Sequence, residues 1–208
     1  MYRIFFLIVT GLVLTFHAEA KKVEGKILFE NDTIDVTFKI PVIFFKQTPH
    51  FERLQYKVKY YDSFGEKKIL RPGKAKEIQF NFENETIRML SRNYSPGLGQ
   101  ILLLNTNIFL KLEMDGKLKL FSFYSTENSS GMQNTSAGSI SDGHSYTEVN
   151  YLLQKGDDEL KRVRELFFKK DMAEYLSDCP ALTEKIESGG FRKNDLKNIV
   201  QFYNSDCR

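Results

Sequence analysis

Apolar and polar residues alternate with a period of two over most of the first three quarters of the chain, a pattern that predicts half-buried β-strands. Val23 to Phe29 alternates, Glu30-Asn31-Asp32 is turn-like, and Ile34 to Ile40 alternates again, so the region opens on a hairpin. Pro41 is expected to end it or mark an edge, and Val42 to Phe45 reads as a short buried run. Leu54, Tyr56, Val58 and Tyr60 form one face of a further strand, against Gln55, Lys57 and Lys59 on the other. Asp62 and Gly65 mark a turn before a short strand ending near Leu70, and Pro72-Gly73 fits the centre of a type II turn. Ile78 to Phe82 and Ile87 to Leu90 continue the strands. The clearest local signal is Ile108 to Met114, Asp115-Gly116, then Lys117 to Tyr124, a hairpin suited to a two-residue type I′ turn.

Thr126 to Gly143 is rich in Ser, Asn and Gly, with little apolar surface to offset the entropy of ordering it, and is expected to be a flexible loop. Strand alternation resumes over Tyr146 to Leu153. The period then changes: Leu160, Val163, Phe167, Phe168, Met172, Tyr175 and Leu176 follow the three-and-four spacing of an amphipathic helix. Asp178 is expected to cap a second helix, with Pro180 in its first turn and Gly189-Gly190 ending it. Leu196, Ile199, Val200 and Tyr203 give a last helix.

Cys179 and Cys207 are the two cysteines, and antiparallel packing of the last two helices brings them together as a disulfide. The competing use of Cys179 as a redox or nucleophilic thiol lacks a Cys-x-x-Cys spacing or a histidine nearby in sequence. A bridge fits the other end of the chain as well. Arg3, the apolar run Ile4 to Phe16, and the small residues of Ala18-Glu19-Ala20 have the three parts of a secretory signal peptide cut before Lys21. The apolar run is shorter than the roughly 20 residues of a membrane-spanning helix.

Composition changes this picture little. The formal net charge is +3, too mild to argue for nucleic acid, and lysines alternate with acids along most of the chain, as on an ordinary solvated surface. There are 18 Phe and 10 Tyr but no Trp, which counts against, without excluding, a sugar-stacking site. Tyr56, Tyr60 and Phe80 are expected in the core. His50 and His144 sit in loop-like sequence, and Asp142-Gly143-His144-Ser145 holds an acid, a base and a hydroxyl on a poor scaffold for catalysis. No spacing matches a zinc or EF-hand site, and Gly97-Leu98-Gly99 lacks the rest of a nucleotide fingerprint. No catalytic, cofactor or metal residues are therefore assigned. The sequons at Asn31, Asn84, Asn93, Asn128 and Asn134 matter only in a eukaryotic secretory pathway.

Tyr60-Tyr61-Asp62 with Gly65-Glu66-Lys67-Lys68, Phe109-Leu110-Lys111-Leu112, the Leu118 to Tyr124 arm, Tyr175 to Pro180, and Ile199-Val200 with Tyr203-Asn204 resemble a family of uncharacterised exported proteins from Bacteroidota. The resemblance implies a Gram-negative cell envelope, in the periplasm or at the outer surface, and brings no activity with it. The sequence thus predicts an α+β protein with an antiparallel β-rich N-terminal region followed by a C-terminal three-helix tail. Its parts are a signal peptide at 1–20, a β-rich domain at 21–155 with a flexible loop at 126–143, and a helical region at 156–208. The expected function is non-enzymatic: an exported binding or envelope-associated protein whose partner is a protein or surface polymer, not membrane-spanning after cleavage and without a cofactor. The alternatives are a hydrolase assembled from residues distant in sequence, and a structural periplasmic subunit of an outer-membrane complex.

Overall fold

The computed structural model describes residues 20–43, 46–94, 106–135 and 138–207, with the backbone alone at 106, 127–135 and 138–145. Ala20 apart, the expected signal peptide lies outside these residues, as does Gly97-Leu98-Gly99. The protein is mostly antiparallel β-sheet with a few helices. Its strands are β1 (Ala20–Leu28), β2 (Thr33–Ile43), β3 (Thr48–Pro49), β4 (Val58–Tyr61), β5 (Lys67–Leu70), β6 (Glu77–Phe82), β7 (Glu85–Tyr94), β8 (Thr106–Met114), β9 (Leu118–Thr135), β10 (Gly138–Lys155) and β11 (Lys161–Arg162). They form one sheet in the order β11-β10-β9-β8-β7-β6-β1-β2-β4-β5, with β3 attached to β2.

The opening hairpin forms as its alternation predicts, with Asp32 closing the turn through Phe29 N–H to Asp32 O at 2.8 Å. Pro41 does not end it: β2 runs on to Ile43, with Pro41 opposite Ala20. Gly25 is needed where β1 meets β6, because a Cβ there would lie 2.1 Å from the Gln79 carbonyl oxygen. Pro72-Gly73 turns as expected, with Gly73 at φ +83° and Lys74 N–H donating to Arg71 O at 3.2 Å.

Further sequence expectations are corrected. Leu54 to Tyr61 is not one strand; Phe51–Leu54 is a short helix, α1, and only Val58–Tyr61 is extended. Tyr56 is accordingly 38% exposed rather than in the core, whereas Tyr60 and Phe80 are buried. The loop expected at 126–143 is instead the outer part of a long β9–β10 ladder, paired from Lys155↔Leu118 to Gly138↔Thr135. Backbone pairing between the two arms supplies what apolar burial does not. The helix expected from Leu160 begins only at Phe168, because Lys161 and Arg162 pair with Leu153 and Leu152 at the sheet edge.

After β11 come α2 (Phe168–Tyr175), α3 (Pro180–Glu187), a 3-10 turn (Lys193–Asp195) and α4 (Leu196–Asp206). Pro180 opens α3 and Gly189 follows it at φ +84°, as the sequence signals. Asp178 does not cap α3; Cys179 is the N-cap and the Asp178 carboxylate binds Lys155 and Tyr203 instead. Cys179 and Cys207 form a disulfide, with Cα atoms 5.5 Å apart, joining the start of α3 to the end of α4.

One face of the sheet carries two cores. Over β1, β2, β4, β6 and β7, Ile27, Phe38, Ile40, Val58, Ile78, Phe80 and Met89 are buried against one another. Over β9 and β10, the same face presents Leu118, Leu120 and Leu153 to Met172, Leu176, Leu182, Ile186, Ile199 and Val200 of the helices. A third cluster, with Leu90, Leu110, Phe121, Phe123 and Leu152, lies on the reverse face.

The two cores meet where β8 and β9 join. Direct pairing there is confined to Lys111↔Ser122, Leu112↔Phe121 and Met114↔Leu120, with a register shift. The Asp115-Gly116 hairpin therefore exists, but not with a two-residue turn; Gly116 has φ +152° and the strands separate on both sides of the short ladder. Side-chain amides fill the gaps. Gln55, fully buried at the end of α1, accepts the Tyr124 N–H at 2.6 Å, donates to Tyr124 O at 2.9 Å, and takes the Phe109 N–H on its own carbonyl at 3.0 Å. At the other end, Asn204 of α4 accepts from Leu118 N–H at 2.8 Å and donates to Leu118 O at 2.9 Å. Although four strands separate β2 from β9 in the sheet, its coiling brings α1 across to β9, where Phe51 stacks on Tyr124 at 5.0 Å.

Candidate functional site

The feature that stands apart is a groove of about 690 Å³ on the reverse face of β2 and β4, beside α1. Its apolar lining comes from Pro41, Leu54 and Tyr56, and from Ala20, the last residue of the expected signal peptide; Lys39, Arg53, Lys57 and Lys59 line the rest. These basic residues arrive there for a local reason. Phe38 and Ile40 on β2, and Val58 and Tyr60 on β4, point into the core, so the pleat sends Lys39 and Lys59 to the opposite face.

Register then lines lysines up across three adjacent strands: Lys22 is opposite Lys39, and Lys39 is opposite Lys59. Like charges directly opposite one another in an antiparallel pair are destabilising. Several cations elsewhere are paired, as Arg88 is with Glu77 and Asp115, Lys155 with Asp178, Arg164 with Asp171, and Lys193 with Glu165, while others, such as Lys67, Arg71 and Lys74, stand without an ion pair among the described residues. Among the described residues, no carboxylate comes within ion-pair distance of Lys22, Lys39, Arg53, Lys57 or Lys59. The Lys22 ammonium lies 4.8 Å from the centre of the Tyr61 ring, a contact that leaves its charge uncancelled. Burial, and then the nearby Glu52, raise the Tyr56 hydroxyl above its ordinary value, so Tyr56 offers the groove a neutral ring.

A second polar cluster fills the seam between the two cores. The Ser122 hydroxyl donates to Glu113 at 2.7 Å, and Lys111 lies 3.4 Å from Glu113 and 3.3 Å from Glu85, above the Phe51 ring. Burial alone would lower the Lys111 pKa, but Glu113, Tyr124 and Glu85 outweigh it and hold the ammonium above its ordinary value. A lysine so charged cannot take a proton from Ser122, whose own proton is already held by Glu113. The cluster's polar groups satisfy one another across the seam.

The residues singled out in the sequence fall elsewhere. Cys179 and Cys207 pin the helices. His50 precedes α1, with its pKa lowered by burial and by Arg53, and contributes backbone bonds to the helix start. The His144 side chain lies outside the described residues; its backbone pairs with Ser129 in the long ladder, not in a loop. Sequence reasoning missed the groove because the chain's charge is not evenly spread. From Lys39 to Lys76 there are ten lysines and arginines against three acidic residues, an excess hidden by a net charge of +3.

No family model, curated protein or solved structure matches this chain.

Proposed function

We propose that this is an exported, non-enzymatic binding protein of the cell envelope, whose basic groove holds an anionic surface polymer. The carrying observation is the set of cations without ion-pair partners lining a partly apolar groove, with lysines directly opposite one another across three strands, an arrangement that costs folding free energy and is relieved by a negative ligand. Export is supported by the signal-peptide pattern of residues 1–20 and by the Cys179–Cys207 bridge, since disulfides persist in oxidising compartments. The resemblance to exported proteins of Bacteroidota agrees with a periplasmic or outer-surface location. In this reading residues 156–208 are a three-helix tail of α2, α3 and α4, with the 3-10 turn as the lead-in to α4. Among the described residues no helix is long and apolar enough to cross a membrane.

The test is expression of the full chain in a Gram-negative host, followed by intact mass and retention on a heparin column. A mass beginning at Lys21 and two hydrogens light, with retention at physiological salt that is lost in the Lys39→Gln/Lys57→Gln/Lys59→Gln variant, is expected. Retention of residues 1–20 would remove the export step. Equal elution of wild type and variant would remove the groove as the binding site.

A further inference from the structure

We infer that the polymer taken by this groove is an acidic polysaccharide lying across the strands, with successive acidic sugars read by Lys59 and Lys39, which line the groove, and by Lys22, which lies outside it on the next strand. This rests on the anionic-ligand reading above and narrows it. The three lysines occupy one row, and neighbouring strands of a sheet are about 4.8 Å apart. Their attachment points therefore repeat at close to the length of one pyranose unit, so a uronic acid polymer can set one carboxylate against each lysine.

The floor makes the second half of the case. Pro41 and Tyr56 offer apolar surface among the cations, and Tyr56 is part-exposed as a neutral ring. A sugar ring has an apolar C–H face to lay on that floor while its carboxylate reaches the rim, and Tyr serves such amphipathic contacts well. Polyphosphate has charge but nothing apolar to bury. A bilayer presents a broad surface that a groove does not fit. Single-stranded nucleic acid is held on successive stacked aromatics, and the groove has Tyr56 alone. The lysine row ends at β5, where Ile69 stands opposite Lys59, and the parallel row beside it carries Glu24 opposite Thr37.

The experiment is calorimetric titration of the mature protein, at fixed physiological salt, with polygalacturonate oligomers of two, three and four sugars. Parallel titrations use inorganic polyphosphate, oligo(dT) and vesicles containing phosphatidylglycerol. Affinity is expected to step up between two and three sugars, and to fall roughly fivefold in each of Lys22→Gln, Lys39→Gln and Lys59→Gln. Thermal unfolding of each variant should be no lower than wild type, since a repulsion has been removed, so weaker binding cannot be misfolding. Tighter binding of polyphosphate, oligo(dT) or vesicles, or no step with sugar number, overturns the polysaccharide assignment and leaves the anionic groove standing. Binding of none of the probes overturns both.

Discussion

Gln55 and Tyr124, 69 residues apart in sequence, bond as if they were opposite residues of neighbouring strands: the Gln55 side-chain amide takes the Tyr124 N–H and returns a hydrogen bond to the Tyr124 carbonyl. The backbone groups of β9 would otherwise be buried without partners once β8 has diverged. Asn204 repeats the device on Leu118 at the other end of the short ladder, and Gly116 is what lets it approach, because a Cβ there would lie 2.4 Å from the Asn204 side-chain nitrogen.

Gln55→Ala leaves both Tyr124 groups unsatisfied in a fully buried place. At about 1–3 kcal/mol for each such group, a loss of roughly 2–6 kcal/mol is expected. Urea unfolding of the purified protein measures it. A change below about 0.5 kcal/mol would mean that another group, or water, already serves Tyr124.

The Cys179–Cys207 bridge spans a sequence separation of 28, and its removal should cost about 3 kcal/mol through the freedom returned to the unfolded chain. Comparing urea midpoints of the oxidised protein with those of Cys179→Ala/Cys207→Ala checks this. An unchanged midpoint would show that helix packing alone holds α3 against α4.

Asp178 gives a pH dependence of known sign. Burial by itself would raise its carboxyl, but hydrogen bonds from Lys155 and Tyr203 prevail and hold it below the ordinary value of 3.8. Its contribution is therefore complete above the unfolded-state pKa and is lost as pH falls through the lower folded-state value. The side chain is 49% exposed, so solvent screening keeps the effect below about 1 kcal/mol. Relative to wild type, Asp178→Asn should be less stable near pH 6, and the difference should shrink as the pH drops below 4. Denaturant titrations across pH 3–6 would reveal it, and a constant gap would assign the loss to packing.

Much of the fold was legible because alternation and turn chemistry act locally. Val23 to Ile40, Pro72-Gly73, the Pro180 start and Gly189 end of α3, and the α4 periodicity each formed as predicted, and the helix ends placed the cysteines together. What failed was decided at a distance. Leu54, Tyr56, Val58 and Tyr60 alternate like a strand, yet the bonds waiting on Tyr124 and Phe109 favour a turn of helix that delivers Gln55. The polar stretch 126–143 has no core to join, but each arm satisfies the other's backbone, which apolar patterning does not report. The groove was hidden for a related reason: Lys22, Lys39 and Lys59 lie on separate strands, and only register makes them neighbours.

The brevity of the β8–β9 ladder divides the protein along its chain. Residues up to Phe109 build the first core and residues from Leu118 build the helix-covered one, while three residue pairs, the Gln55 amide and the reverse-face cluster of Leu90, Leu110, Phe121, Phe123 and Leu152 join them across the line between. Each of the two cores gathers its apolar residues from contiguous sequence; Asn204 bonds Leu118 within the second part, and Gln55 bonds Tyr124 across the line. The basic groove belongs wholly to the first half and the disulfide wholly to the second. The groove proposed for an anionic ligand and the disulfide thus lie in different parts of the chain, and reduction of the bridge is expected to loosen the helices while the groove keeps its shape.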